Sequence, residues 1–233
     1  MISNTTAKLI NLLPKKVVIS VSKKLVDNYL NKYAKIYAYG LEKLENIQRP
    51  TIFICNHLSN SDGLVLSKTL KSVDPTFVAG VKLSNNSFTS LGMNVVKTTN
   101  IKPNSADKDG IKKIINLIKQ GESLLIFPEG TRSRVGSLIE AKKGIVLIAK
   151  MTGAPIVPIG IYGTEKLLPI NKEGDMGAEK FNNAEVYINI GDQFEFPKKE
   201  KEQGKKEYEE YATDYIMRKI AALLPEGYKG VYK

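Results

Sequence analysis

The chain has one histidine and one cysteine among its 233 residues. The single cysteine, Cys55, excludes an internal disulfide, and a lone thiol fits a reducing compartment. One imidazole and one thiol cannot form a His/Cys metal cluster, and nothing in the carboxylate spacing suggests an oxygen-ligand site, so neither metal nor cofactor is expected. Long apolar runs are also missing: the first forty residues contain no stretch of about eighteen, and hence no candidate spanning helix. Lysines interrupt every apolar run there and no small-residue cleavage site stands out, which argues against a secretory signal. Acidic residues are few, 24 against 35 basic, and the formal charge of +11 implies an anionic partner: nucleic acid, an anionic membrane surface or a phosphorylated substrate. The basic residues are spread along the chain without a recognised nucleic-acid motif, so no nucleic acid is expected. Internal repeats and glycine-rich phosphate loops are absent too.

What is present concentrates in two stretches. In Ile52 to Asp62, the lone imidazole, His57, follows a short β-type apolar run and precedes Asp62 by five positions. Thr51 to Cys55 reads as a buried strand and Gly63 to Leu70 as a helix carrying Leu64, Val65, Leu66 and Leu70. Residues five apart on one continuous helix point roughly 140° away from each other. His57 therefore belongs in the loop and Asp62 in the first helical turn, behind an Asn60 or Ser61 cap. In that arrangement Asp62 fixes the imidazole tautomer and leaves the other ring nitrogen as a general base. A surface histidine beside a capping acid satisfies the same spacing.

The second stretch is Phe127 to Ser133, Phe-Pro-Glu-Gly-Thr-Arg-Ser, following a buried strand from Ser123 to Phe127. Pro128 stiffens the exit from the strand and Gly130 admits close backbone approach. Arg132 can grip a phosphate or carboxylate bidentately. Glu129 either binds a hydroxyl group or holds Arg132.

Asn56-His57-x-x-x-x-Asp62 followed, about seventy residues on, by Phe127 to Ser133 resembles the glycerolipid acyltransferase family, the 1-acylglycerol-3-phosphate acyltransferases and their relatives. The likeness runs from about Pro50 to Gly163. It implies transfer of a fatty acyl group from a thioester donor, acyl-CoA or acyl carrier protein, to the sn-2 hydroxyl of 1-acylglycerol-3-phosphate, making phosphatidate. His57 and Asp62 would be catalytic, and Asn56, Lys97, Glu129, Gly130, Thr131, Arg132 and Lys142 would bind substrate. In the family a glycine is followed by a short apolar run and a phosphate-holding arginine. From Gly92 that position falls on Lys97 or Thr98, and a lysine lacks the two-pronged grip of a guanidinium. Lys142 matches the family's lysine two positions before the glycine at 144. The same residues suit an acyltransferase for another lysolipid or glycerol 3-phosphate, or a catalytically silent lipid-binding protein.

The remaining pattern alternates apolar strands with amphipathic helices, which predicts an α/β fold: a mixed central sheet with helices on both faces. Strands are expected at Thr76 to Val81, at Val95 and Val96, at Pro155 to Ile161, and at Glu185 to Ile190. Pro158 marks the third of these as an edge strand or a bulge. Leu83 to Asn94 reads as a loop or short helix. Helices are expected at Asp107 to Gln120, with Ile111, Ile114, Ile115 and Ile118 on one side, from Lys142 to Gly153, and from Lys205 to Leu224, with Tyr208, Tyr211, Tyr215, Ile216 and Ile220 on one stripe. Loops at the strand ends are expected to carry His57, Lys97 and Arg132 to one rim. Residues 1–40 form a helical segment with an apolar stripe at Val18, Val21, Leu25, Tyr29, Tyr33 and Ile36, and 41–233 form the acyltransferase-like domain. That stripe, flanked by Lys15, Lys16, Lys23, Lys24, Lys32 and Lys35, either packs on the core or lies on an anionic membrane. The expected location is the cytoplasmic face of a membrane, held peripherally.

Overall fold

Ile52, Phe53, Ile54 and Cys55 are all buried, as are Leu124, Leu125 and Ile126, so neither run has a polar face to turn to water. Strands of that kind belong inside a parallel sheet covered on both sides. The computed structural model, which describes residues 9–80, 92–102, 107–171, 173 and 178–233, places them there. Its strands are β1 (Ala34–Tyr39), β2 (Ile52–Cys55), β3 (Thr76–Gly80), β4 (Thr98–Ile101), β5 (Leu124–Ile126), β6 (Ile156–Tyr162) and β7 (Ala184–Ile190). The named helices are α1 (Lys15–Tyr33), α2 (Asp62–Thr69), α3 (Lys108–Lys119), α4 (Gly144–Thr152), α5 (Thr164–Leu167) and α6 (Lys205–Ala221). One seven-stranded sheet has the order β1-β7-β6-β2-β5-β3-β4. The run from β6 to β4 is parallel, and β7, with β1 alongside it, runs the other way.

Alternate residues of the strands feed two cores. Ile52, Ile54, Leu124, Ile126 and Ile156 pack with α3, α4 and α6 on one face. Phe53, Cys55, Leu125, Val157, Ile159 and Val186 pack with Leu30 of α1, Val65 and Leu66 of α2, and Leu167 of α5 on the other. Helices thus cover both faces, as the alternation predicts. In α3 the Asp107 side chain accepts from the Gly110 N–H at 3.0 Å, satisfying one of the first-turn donors.

Four details depart from the sequence reading. The helical stripe ends at Tyr33, and Ile36 belongs to β1, whose neighbours in β7 include Val186. Tyr33 and Ile36 are three apart, which suits a helix. The alternation of Ile36 and Ala38 toward the core is the period of a strand. Residues 34–39 are therefore part of the sheet rather than of a helical segment reaching residue 40. The strand expected at Val95 and Val96 begins instead at Thr98, in register with Phe77, while Val95 N–H closes a turn onto Gly92. Of the two readings of Pro158 the edge strand fails and the bulge holds: the proline lies in an interior strand, between β2 and β7. Three positions separate Ile156 from Ile159, whereas four separate their partners Ile190 and Phe194, so a one-residue bulge faces the proline that cannot donate. In α6 the buried stripe is Tyr208, Ala212, Ile216 and Ile220, while Tyr211 is 48% exposed. Most of the Leu83 to Asn94 stretch lies outside the described residues.

Candidate active site

β2 and β5 are neighbours and parallel, so the loops that follow them emerge side by side at one rim of the sheet, about 4.8 Å apart. His57 is in the first loop and Arg132 in the second. Asp62 opens α2, and its Oδ2 accepts the Leu58 N–H at 2.7 Å and the Ser59 N–H at 2.9 Å while lying 2.7 Å from His57 Nδ1. A carboxylate oxygen only accepts, so Nδ1 carries the hydrogen and Nε2 keeps its lone pair. The Asp62 carboxylate is fully buried and the His57 side chain 20% exposed, which leaves the ring accessible and its orienting group dry. The Phe127 ring stacks on the imidazole at 4.1 Å. Ser59 Oγ–H donates to the Leu168 carbonyl at 2.7 Å and anchors the loop from below.

The second loop clamps the backbone of the first. His57 N–H donates to Glu129 Oε1 at 2.7 Å, and Ser133 N–H donates to the His57 carbonyl at 2.7 Å. Glu129 Oε2 accepts the Ile139 N–H at 3.2 Å. Burial pushes the Glu129 carboxyl up to about 8, against the opposing pull of the His57 and Ile139 N–H groups. The sequence leaves Glu129 two roles, a hydroxyl ligand or a partner of Arg132. The described contacts give it neither: it is sequestered beneath the loop, bracing the histidine.

Arg132 has another partner. Its Nη1–H donates to Glu179 Oε1 at 2.9 Å, with the two side chains 18% and 1% exposed. The loop tip between them and β5 relies on Gly130, whose φ of +66° disfavours other residues and whose missing Cβ would sit 3.0 Å from Lys142 Cγ. Lys142 N–H donates to the Pro128 carbonyl at 2.8 Å, so this exposed lysine lies along the loop. Thr131 is exposed at the same tip.

Two more of the expected substrate ligands fall elsewhere. Asn56 is buried and its amide continues the sheet: Nδ2–H donates to the Ile161 carbonyl at 2.7 Å and Oδ1 accepts the Ile161 N–H at 2.8 Å. Lys97 precedes β4, so it lies at the rim opposite His57. There its ammonium pairs with Glu122, which precedes β5. The misplacement follows from the strand shift: a strand ending at Lys97 would have brought it to the His57 rim. Lys102, just after β4, emerges on that side instead, three strands or about 14 Å from β2. Glu179 has no motif around it, and only its burial and its partners reveal it. Cys55 is buried, which pushes its thiol well above the usual range and disqualifies it as a nucleophile.

An α/β sheet that carries, on adjoining strand-end loops, an imidazole held by a buried carboxylate and a guanidinium sets a group able to take a proton near a group able to hold an anion. The chain belongs to the Acyltransferase family, whose model matches residues 35–162, more than half of its length. It is 35% identical over 145 residues to a chloroplastic 1-acyl-sn-glycerol-3-phosphate acyltransferase of Arabidopsis thaliana, covering 61% of this chain and 40% of that protein. A chloroplastic 1-acyl-sn-glycerol-3-phosphate acyltransferase of Brassica napus is 36% identical over 169 residues, covering 64% of this chain and 48% of that protein. The chain thus spans about half the length of these curated relatives or less. The crystal structure of the 1-acyl-sn-glycerophosphate acyltransferase of Thermotoga maritima shares the fold, with a TM-score of 0.64 at 22% identity, covering 92% of this chain and 85% of that one.

Proposed function

We propose that this protein transfers a fatty acyl group from a thioester donor, acyl-CoA or acyl carrier protein, to the sn-2 hydroxyl of 1-acylglycerol-3-phosphate, yielding phosphatidate. The observation that carries the reading is the His57 Nδ1 to Asp62 Oδ2 contact of 2.7 Å on a loop tied to the Arg132 loop by Ser133 N–H. Arg132, with Lys142 alongside, holds the acceptor's phosphate. His57 Nε2 takes the hydroxyl proton as the oxygen attacks the thioester carbonyl, and the imidazolium that forms is stabilised by Asp62. The carbon–sulfur bond then breaks, and the departing thiolate, whose conjugate acid has a pKa of about 8.5, accepts the proton from His57 or from water. Glu129 keeps the histidine backbone in place and touches neither substrate.

The membrane reading extends this. Leu9, Leu12, Leu13 and Val17 are 61%, 81%, 44% and 43% exposed, and Lys15 and Lys16 flank them. Among the described residues no helix is long and apolar enough to cross a membrane. We place this end of the chain flat on the anionic cytoplasmic surface from which lysophosphatidate is drawn.

The test is purified protein with a labelled acyl donor and a panel of acceptors, the lipid product identified by mass. Wild type makes phosphatidate and His57→Ala makes none while still sedimenting with vesicles containing anionic lipid. Equal product from both proteins, or none from wild type with either donor, overturns the reading.

A further inference from the structure

We infer that Glu179 is the positioning residue of Arg132: it fixes the guanidinium that receives the acceptor's phosphate and ties it to the loop carrying His57. The inference rests on acyl transfer to a phosphorylated acceptor as proposed above. Glu179 lies outside the matched residues 35–162 and outside both motifs. Its side chain is 1% exposed, and a carboxylate that dry is tolerated only when its oxygens are matched by donors. The donors come from three separate stretches. Oε1 accepts from Arg132 Nη1–H at 2.9 Å and from the Asn171 N–H at 3.4 Å, and Oε2 accepts from Asn60 Nδ2–H at 2.6 Å. Asn60 lies between His57 and Asp62 in the sequence, so one carboxylate bridges the general-base loop and the arginine loop.

Geometry makes the bridge consequential. A guanidinium is planar and rigid, so anchoring one terminal nitrogen fixes the plane, and with it the direction of the remaining N–H groups. A freely rotating arginine would have to lose that freedom each time it met a phosphate. Glu179 is itself seated from the far side: two positions on, Phe181 stacks against Tyr29 and Tyr33 of α1, with ring centroids 5.3 and 6.1 Å away. The 178–183 stretch thus spans from α1 to the site, and Glu179 is the part of it that touches Arg132.

The test compares wild type with Glu179→Gln, which keeps the shape and loses the charge, in initial-rate assays that vary lysophosphatidate and the thioester donor separately. A hydrogen bond to a charged group is worth about a tenfold change in equilibrium. The expected result is a KM for lysophosphatidate raised about tenfold, with kcat and the donor's KM within about twofold of wild type. Glu179→Asp, which keeps the charge and draws it back by one methylene, restores part of the loss, to about threefold above wild type. It also serves as the readout if the glutamine variant does not fold. A buried pair that merely holds the fold together would instead lower kcat through lost active molecules and leave both KM values alone. That pattern, or an unchanged KM for lysophosphatidate in both variants, overturns the role of Glu179. A wild type inactive toward lysophosphatidate sinks the proposed reaction first, so the two failures are distinct.

Discussion

Replacing Asp62 with Asn tests the site at the atom on which it turns. Oδ2 takes the His57 Nδ1 hydrogen at 2.7 Å together with the Leu58 and Ser59 N–H groups. At that separation and an effective dielectric of about 20, a carboxylate and the imidazolium that the proposed reaction forms attract by about 6 kcal/mol. The ring is 20% exposed, so solvent takes a share. Losing about half of the attraction, about 3 kcal/mol, lowers kcat on the order of a hundredfold. The amide keeps one oxygen for the three donors, but its nitrogen replaces Oδ1, which is buried with no hydrogen-bond partner among the described residues. An amide nitrogen stranded there costs about 1–3 kcal/mol of stability, and the flipped amide, with nitrogen facing three N–H groups, is worse. Initial rates with labelled donor and lysophosphatidate should show the fall in kcat with both KM values within about threefold of wild type. Thermal unfolding should show a lower midpoint. A folded Asp62→Asn protein retaining more than about a tenth of wild-type kcat would refute the reasoning.

Other consequences are as direct. Burial holds the Glu129 carboxyl protonated up to about 8 against an ordinary 4.5, so between those values the folded state keeps a proton that the unfolded chain releases. Its stabilising contribution is complete below about 4.5 and is lost as pH rises through about 8, at about 1.4 kcal/mol per pH unit. Denaturant unfolding across that range should show wild type losing stability relative to Glu129→Gln, and parallel curves would contradict the assignment. Lys97→Ala removes one half-exposed ion pair at the far rim and should cost less than about 1 kcal/mol, leaving the acceptor's KM within about twofold. A tenfold rise in that KM would return Lys97 to the phosphate site. Asn56→Ala leaves the Ile161 N–H and carbonyl buried without partners, and should lower stability by about 3 kcal/mol while sparing KM in the molecules that remain folded.

The geometry of the candidate site was legible because it is local. His57 and Asp62 meet across four residues, and a strand-to-helix turn is enough to bring them together, so the spacing predicts the contact that the structure shows at 2.7 Å, although neither Asn60 nor Ser61 caps the helix with its side chain. The same holds for α3, whose isoleucine stripe is visible in a dozen residues. Errors arose where two readings share a local pattern. Ile36 fits the helical period with Tyr33 and the strand period with Ala38 until β7 supplies β1 with a partner. Val95 and Val96 look more strand-like than Thr98 to Ile101, yet pairing with β3 selects the latter. That slip carried Lys97 to the wrong rim.

The sequence by itself determined the alternation of elements, the two motifs and hence the acid–base pair and the arginine, because each is written within a helical turn or a single strand exit. Only the tertiary structure decided what surrounds them: Glu129 beneath His57 from 72 positions away, Asn56 bound to Ile161 across 105, and Arg132 held by Glu179 across 47. Such pairings depend on strand order and on which carboxylates are cut off from water. Burial is a property of the whole packed chain, and no window of neighbouring residues contains it.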